Sequence, residues 1–252
     1  MTSGVWGERR GVNPRTLMRT VLPAILLAAP HGCAPVPGRP APAPPPAPPR
    51  PLSSCGAPAG GFIRNRGEFP AWAAYYVKGG EGAILFSRTA VHYPAGPGRP
   101  GGGFALRFDG ADAGAELTAG KERRAAAGPP FSATLTYRNI YPGVDCEFRA
   151  GGGGVRRTFM VAAGADPGAI RISFDGVAGV SIAADGRLLI AAPQGVFAAD
   201  PPSAWQYASG EKAAVPARFF PAGGRTVGFA VGRRDPRRLL VIDPPGAERG
   251  VR

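Results

Sequence analysis

The sequence predicts an all-β protein of antiparallel sheets in a sandwich-like arrangement. Apolar and aromatic runs recur at intervals of about ten residues, with glycine or proline at each break, which is typical of short strands and turns. Apolar and polar residues alternate inside such runs, as in "GFALRFDG" at residues 103–110. We therefore expect residues 55–245 to form the folded domain, as one body or as two lobes near 61–120 and 130–245.

Two hairpins are the clearest local predictions. "AWAAYYVKGGEGAILFSRTAVHY", residues 71–93, holds two apolar-aromatic runs separated by Gly-Gly-Glu-Gly at 79–82. Asp185 and Gly186 stand between "VSIAA" and "RLLIA", and Asp-Gly is a strong signal for a hairpin turn. Residues 111–128 have a helix-like composition but poor apolar periodicity, so we expect a loop with one or two helical turns there.

"YRNIYPGVDCEFR", residues 137–149, predicts a strand, a turn and a second strand. Pro142 fixes φ near −65° and Gly143 accepts a positive φ, which suits a type II turn. Asp145 and Glu147 then lie on the polar face of the second strand. Such a pair could bind Ca²⁺ or act in acid–base chemistry, but we expect a solvated face in which arginines of a neighbouring strand pair with the carboxylates.

The N-terminus predicts export. In "MRTVLPAILLAAPHGC" Arg19 precedes an apolar run at 21–29, and small residues follow, as in a secretory signal covering residues 1–33. Nine apolar residues are too few for a helix that crosses a ~30 Å hydrocarbon core. Met1 and Met18 both remain candidates for the true start.

A Pro-rich linker at residues 34–54 follows the signal. It has no apolar periodicity and should be an extended, solvated spacer of ~3 Å per residue. Gly32 and Cys33 before this spacer resemble the processing site of a bacterial lipoprotein, although Pro30 and His31 depart from the usual pattern. Two alternatives stay open: lipid attachment at Cys33 with anchoring in the cell envelope, or simple secretion.

The remaining cysteines also leave two alternatives. The chain has three cysteines, and an oxidising compartment would allow Cys55 and Cys146 to form a disulfide. Otherwise Cys146 is a small apolar residue buried on a strand.

The formal net charge of +13 points to an anionic partner. The cations are nearly all arginines, scattered singly or in pairs, and none lies in a nucleic-acid recognition motif, so we expect no nucleic acid partner. The Arg233–Arg238 cluster is the best candidate for an anionic contact. The expected partners are a membrane, through the lipid anchor, and an unidentified surface protein or polysaccharide.

The sequence contains no recognisable catalytic, metal or cofactor motif, so we expect a non-catalytic domain without cofactors. The alternative from another class is a secreted hydrolase. It would use His92 with one of the carboxylates of Asp145, Glu147 or Asp175, because His31 lies in the export signal.

A second alternative is a glycan-binding or adhesin module. Trp72, Trp205 and Tyr207 would then be exposed rings on which sugars stack.

Six stretches, in this order, resemble the N-terminal domain of bacterial surface proteins that carry SBBP-type β-propeller repeats. The resemblance implies an extracellular, β-rich, non-catalytic module and supplies no catalytic residues. Two departures are the segment "KERRAAAGPPFSA" before the Tyr137 strand, which replaces a longer stretch, and a tail at 246–252 where repeats would be expected. The stretches are "GFIRNRGEFP" (61–70), "YRNIYPGVDCEFR" (137–149), "TFMVAAGADPGAIRISFDGV" (158–177), "ADGRLLIAAPQGVF" (184–197), "PPSAWQY" (201–207) and "RRLLVIDP" (237–244).

Overall fold

The described part of the chain is almost entirely β. The computed structural model describes residues 47–51, 60–79, 82–96, 102–112, 114–124, 128–151 and 154–243. The predicted export signal, most of the Pro-rich linker and the tail lie outside these ranges, as do Cys33 and Cys55. The predictions about them therefore stay predictions.

Strands form where apolar and polar side chains alternate: in the strand that begins at Val144, buried positions alternate with partly exposed ones over its first five residues. The predicted all-β, antiparallel fold is confirmed. In the described ranges the only helical element is a 3₁₀ turn at Pro167–Ala169. The strands are β1 (Arg50–Pro51), β2 (Ile63–Arg64), β3 (Tyr75–Gly79), β4 (Gly82–Phe86), β5 (Ala90–Tyr93), β6 (Phe104–Phe108), β7 (Glu116–Ala119), β8 (Glu122–Arg123), β9 (Phe131–Ser132), β10 (Thr134–Tyr141), β11 (Val144–Gly151), β12 (Gly154–Val161), β13 (Arg171–Asp175), β14 (Gly179–Ile182), β15 (Leu188–Ala192), β16 (Gly195–Ala199), β17 (Ser203–Ala208), β18 (Glu211–Val215), β19 (Ala217–Pro221), β20 (Thr226–Val231) and β21 (Leu240–Asp243).

These strands form two large sheets and two small ones. The eight-stranded sheet has the order β19-β20-β13-β6-β5-β4-β3-β2, and the seven-stranded sheet has the order β18-β17-β21-β12-β11-β10-β7. A four-stranded sheet has the order β1-β16-β15-β14, and β8 pairs with β9. Of the described strand pairs, β1 with β16 is parallel and the rest are antiparallel.

Aromatic rings join the two large sheets. Phe86 of the eight-stranded sheet meets Phe148 of the seven-stranded sheet edge to face, with ring centroids 5.3 Å apart. Phe159 and Phe229 make a similar contact at 5.5 Å, and Phe108 reaches both Phe148 and Phe159. Each such pair contributes about 0.5–1.5 kcal/mol beyond the burial of its area. The sheets thus share one sandwich core.

The two lobes considered from the sequence are interwoven. Residues 61–120 supply β2–β6 to the eight-stranded sheet, but residues 130–245 complete that sheet with β13, β19 and β20. All described residues belong to one compact unit, Pro46–Arg252. A division of the chain near residue 120 would therefore cut through the eight-stranded sheet.

The prediction of a partly helical loop at residues 111–128 is wrong. This stretch contains β7 and β8, and β7 pairs with β10 over four residues. Leu117 and Ala119 pack against the core, whereas Glu116 and Thr118 are exposed. The alternation in β7 covers only four residues and is therefore hard to recognise in the sequence. Its pairing with β10 makes this segment a strand.

The end of the Pro-rich linker differs from the expected solvated spacer. Arg50 and Pro51 form β1 at the edge of the four-stranded sheet, and the guanidinium of Arg50 lies 5.3 Å from the ring centroid of Phe197. Proline is tolerated at such an edge because the edge strand leaves backbone groups unpaired.

Candidate functional site

The outer face of the seven-stranded sheet exposes an aromatic residue on β17. Ala204 and Gln206 point into the core, so Trp205 and Tyr207 point outward. Tyr207 is 56% exposed, whereas Trp205 is partly buried. Two of the three predicted stacking residues thus share one face.

The neighbouring strands extend this face. Lys212 of β18 pairs with Tyr207, and its Nζ lies 3.7 Å from the ring centroid of Trp205. On β21, Gln206 pairs with Leu240, which places Leu239 beside Tyr207. Leu239 is 48% exposed. We call Trp205, Tyr207, Lys212 and Leu239 the Tyr207 face.

A buried glutamine holds the loop at residues 232–239 against β17. Gln206 is only 5% exposed. Its Nε2 donates to the carbonyl oxygens of Asp235, at 2.8 Å, and Arg238, at 3.1 Å, and its Oε1 accepts from the backbone N–H of Asp235 at 2.9 Å. The loop backbone is therefore fixed from inside the sheet.

The loop carries the predicted arginine cluster, and one of its arginines, Arg238, contacts the backbone of β17. Arg238 donates through Nε to Asp235 at 2.9 Å and through Nη1 to the carbonyl oxygen of Tyr207 at 2.8 Å. The backbone N–H of Arg237 and the Arg238 guanidinium lower the pKa of Asp235. Arg233 and Arg237 are exposed, and neither forms a salt bridge with a carboxylate of the described ranges. The predicted rings and the predicted cations thus belong to two segments, β17 and the loop at residues 232–239, that hydrogen bonds hold together.

The third predicted stacking residue, Trp72, lies elsewhere. Its ring contacts that of His92 on the outer side of the eight-stranded sheet, with centroids 4.4 Å apart and planes at 47°. Asn65 fixes the loop that carries Trp72, because its Nδ2 donates to the carbonyl oxygens of Phe69, Pro70 and Ala73. Trp72 therefore covers a histidine and forms no pair with the other two rings.

His92 is partly buried under Trp72. Burial lowers its pKa, and the positive charge of Arg107 lowers it further, while Asp175 acts in the opposite direction. Asp175 is engaged in a salt bridge with Arg107.

The other carboxylates considered for a hydrolase lie on the outer face of the seven-stranded sheet, across the core from His92. Asp145 pairs with Arg138 at 2.7 Å and Glu147 pairs with Arg149 at 2.8 Å. The structure does not bring Asp145 or Glu147 together with His92.

Cys146 is a fully buried free thiol on the core face of β11. Burial raises its pKa. The predicted disulfide cannot be followed further because Cys55 lies outside the described residues.

Two neighbouring cavities open where the edge strands β2 and β7 meet. Their volumes are about 320 and 550 Å³, and both are lined by Arg64, Tyr75 and Leu117. Glu68, Glu122 and Arg66 also line the smaller one, so two arginines and two carboxylates surround it. This groove carries no clear charge preference.

The described ranges hold neither a candidate metal cluster nor a membrane-spanning helix. No group of three or more His, Cys, Asp or Glu side chains there could hold a metal ion. In the same ranges no helix has the length and apolar character needed to cross a membrane.

A family model described as "Domain of unknown function (DUF7948)" matches residues 106–245, more than half of the chain. The chain belongs to this family. The DUF7948 region contains the whole Tyr207 face and the loop at residues 232–239, whereas Trp72 and His92 precede it. No curated protein and no solved structure matches the chain.

The sequence predictions include neither Lys212 and Leu239, which belong to the Tyr207 face, nor Gln206, which holds the neighbouring loop. Gln206 carried a usable signal, since a polar residue at an inward position of an alternating strand must find hydrogen-bond partners. Lys212 and Leu239 carried none, because their place depends on the register of β18 and β21 with β17.

Proposed function

We propose that the chain is an exported, membrane-tethered, non-catalytic β-domain that acts in surface binding or assembly through the Tyr207 face. The observation that carries this proposal is the exposure of Tyr207 and Leu239, which the register of β17 with β21 brings to one face when it is continued by one residue. Exposed apolar groups framed by polar ones are typical of interaction sites. The basic, then apolar, then small-residue N-terminus supports export.

The resemblance to SBBP-repeat surface proteins gives further support to a location outside the cell. Five of its six stretches fall within the DUF7948 region, and the first, at residues 61–70, contains Asn65, which fixes the Trp72 loop. In this proposal the Pro-rich linker gives the domain reach from the membrane surface.

Fractionation of bacteria that express the full chain tests the location. We expect the wild type in the membrane fraction, with a mass that shows cleavage before an acylated Cys33. Cys33→Ser should leave the membrane, and Cys55→Ser, the matched control, should behave as the wild type. An uncleaved N-terminus in the cytosolic fraction would refute the proposal.

Sedimentation with isolated cell envelopes tests the binding face. We use the Cys33→Ser chain, so that no acyl group contributes, and expect Tyr207→Ser with Leu239→Ser to weaken binding about tenfold, the size of effect typical of an interface hot spot. Val196→Ser removes an exposed apolar side chain on β16 and should change nothing. Equal loss in both variants, or no envelope binding by the parent chain, would contradict a role for this face.

A further inference from the structure

We propose that the Tyr207 face binds a linear acidic polysaccharide, with carboxylate groups on the arginines of the 232–239 loop and a sugar ring on Tyr207. This inference rests on the proposed function and names the partner class of the same face. It follows from the charge of the loop, its rigidity and the shape of the sheet beside it.

The charge of the surface favours an anion. Arg233 and Arg237 are exposed without a salt bridge to a described carboxylate, and Lys212 lies across Tyr207 on the next strand. The nearest opposing carboxylate in the loop, Asp235, is already occupied by Arg238 and by the backbone N–H of Arg237. The planar guanidinium fork matches a carboxylate with two parallel hydrogen bonds, so these free arginines suit a carboxylated ligand.

The loop is organised before any ligand arrives. Three hydrogen bonds with Gln206, two donated and one accepted by its side chain, fix the loop backbone, and Arg234 donates to the carbonyl oxygen of Ala165 at 3.1 Å. Arg238 in turn ties the loop to β17 through the carbonyl oxygen of Tyr207. Because these groups are already ordered, binding costs less conformational entropy.

The shape of the face favours a polysaccharide over a membrane. β18, β17 and β21 are adjacent strands, so a linear chain can cross them while one ring stacks on Tyr207. The large exposed apolar side chains of the face are Tyr207 and Leu239, because the ammonium of Lys212 lies over the partly buried ring of Trp205. Two apolar side chains give little burial for insertion between lipids.

Binding to alginate, a carboxylated polysaccharide, tests the inference on the Cys33→Ser chain. We expect affinity for alginate that falls as salt is added, and none for dextran, a neutral polymer of similar length. Arg233→Gln with Arg237→Gln should weaken binding tenfold or more. Tyr207→Ser should weaken it at every salt concentration without changing the salt dependence.

The matched control is Arg66→Gln with Arg88→Gln. It removes the same charge from exposed arginines that line or adjoin the cavities near β7, at the opposite edge of the seven-stranded sheet from β18. It should leave alginate binding unchanged. Circular dichroism and urea unfolding show whether each variant keeps the fold.

Three outcomes would overturn the inference. Equal loss in both arginine pairs would mean that net charge alone drives binding. Binding to vesicles of phosphatidylglycerol or to single-stranded DNA, with none to alginate, would assign the face to another polyanion. Undiminished binding to dextran would remove the role of the carboxylates.

The two proposals can fail separately. Alginate binding without envelope binding refutes the envelope role and leaves the chemistry of the face intact. Envelope binding that depends on Tyr207 but not on Arg233 or Arg237 supports the envelope role and refutes the recognition of carboxylates by these arginines.

Discussion

At the scale of single residues, the contact between Trp72 and His92 couples one loop to the charge state of an imidazole. The imidazole lies partly buried under the indole and beside the cation of Arg107. Protonation would place a second positive charge next to that arginine, in a site with reduced access to water. The folded state therefore favours neutral His92.

Stability should consequently fall at acid pH. The folded pKa of His92 lies below its ordinary value of 6.5, so above that pH both states are neutral and His92 has no effect. As the pH falls through 6.5, the unfolded chain takes up a proton that the folded chain resists, and the free energy of unfolding decreases. His92→Gln should flatten the profile between pH 7 and 5 in urea unfolding. A variant profile parallel to that of the wild type would show that His92 does not contribute.

Residues of this kind show what the sequence could and could not predict about the site. The sequence predicts Tyr207 as a stacking residue and the Arg233–Arg238 cluster as an anionic contact. The proximity of the two segments depends on Gln206, whose side-chain amide forms hydrogen bonds with the loop and holds it against β17. A contact between segments thirty residues apart follows from strand register, which local patterns do not encode.

At the scale of elements, the hairpin of β10 and β11 contains two residues with positive φ, Asn139 near the end of β10 and Gly143 in the turn. Asn139 has φ of +50° and its Oδ1 accepts from the backbone N–H of Gly143 at 2.9 Å. Gly143 has φ of +71°, and a Cβ added there would lie 2.8 Å from the Cβ of Ala165. The turn thus needs glycine for its conformation and for the close approach of the next segment.

Gly143→Ala should therefore be more destabilising than a conformational penalty alone. A left-handed residue with a side chain costs about 1–2 kcal/mol, and the clash with Ala165 adds to this. Gly210→Ala is the control, since Gly210 has φ of +85° but open space around it. Chemical denaturation should show a larger loss for Gly143→Ala. Equal losses would mean that the Ala165 contact relaxes freely.

The elements that the sequence predicted well are those whose turn chemistry is local. Pro142 with Gly143, and Asp185 with Gly186, each mark a hairpin that the structure contains, and Gly186 has φ of +82°. β7 was missed, because its alternation is short and its strand character comes from the ladder with β10.

At the scale of the whole molecule, the eight-stranded sheet draws strands from both halves of the chain. Neither half contains all the strands of a large sheet. Phe148 packs against Phe86 from the first half and Tyr137 from the second. Since small domains with one core unfold cooperatively, the described unit should lose both sheets together.

Tryptophan fluorescence can test this cooperativity. Trp72 and Trp205 report on the two halves, so chains that keep only one of them, with Trp6 also replaced by Phe, should give the same urea midpoint. Phe148→Ala should lower the free energy of unfolding by about 3–5 kcal/mol. It should shift the urea midpoints measured with Trp72 and with Trp205 by the same amount. Two separate transitions, or a shift in one report alone, would show that the halves unfold independently.

The sulfur of Cys146 has a practical consequence. The sulfur is fully buried between the sheets, and the raised pKa of the thiol favours its protonated form. A thiol reagent can therefore react only when the two sheets separate transiently. In a chain with Cys33 and Cys55 changed to serine, the rate of labelling would count those openings. Cys146 is thus a built-in probe of how often the two sheets separate, because its side chain lies between them.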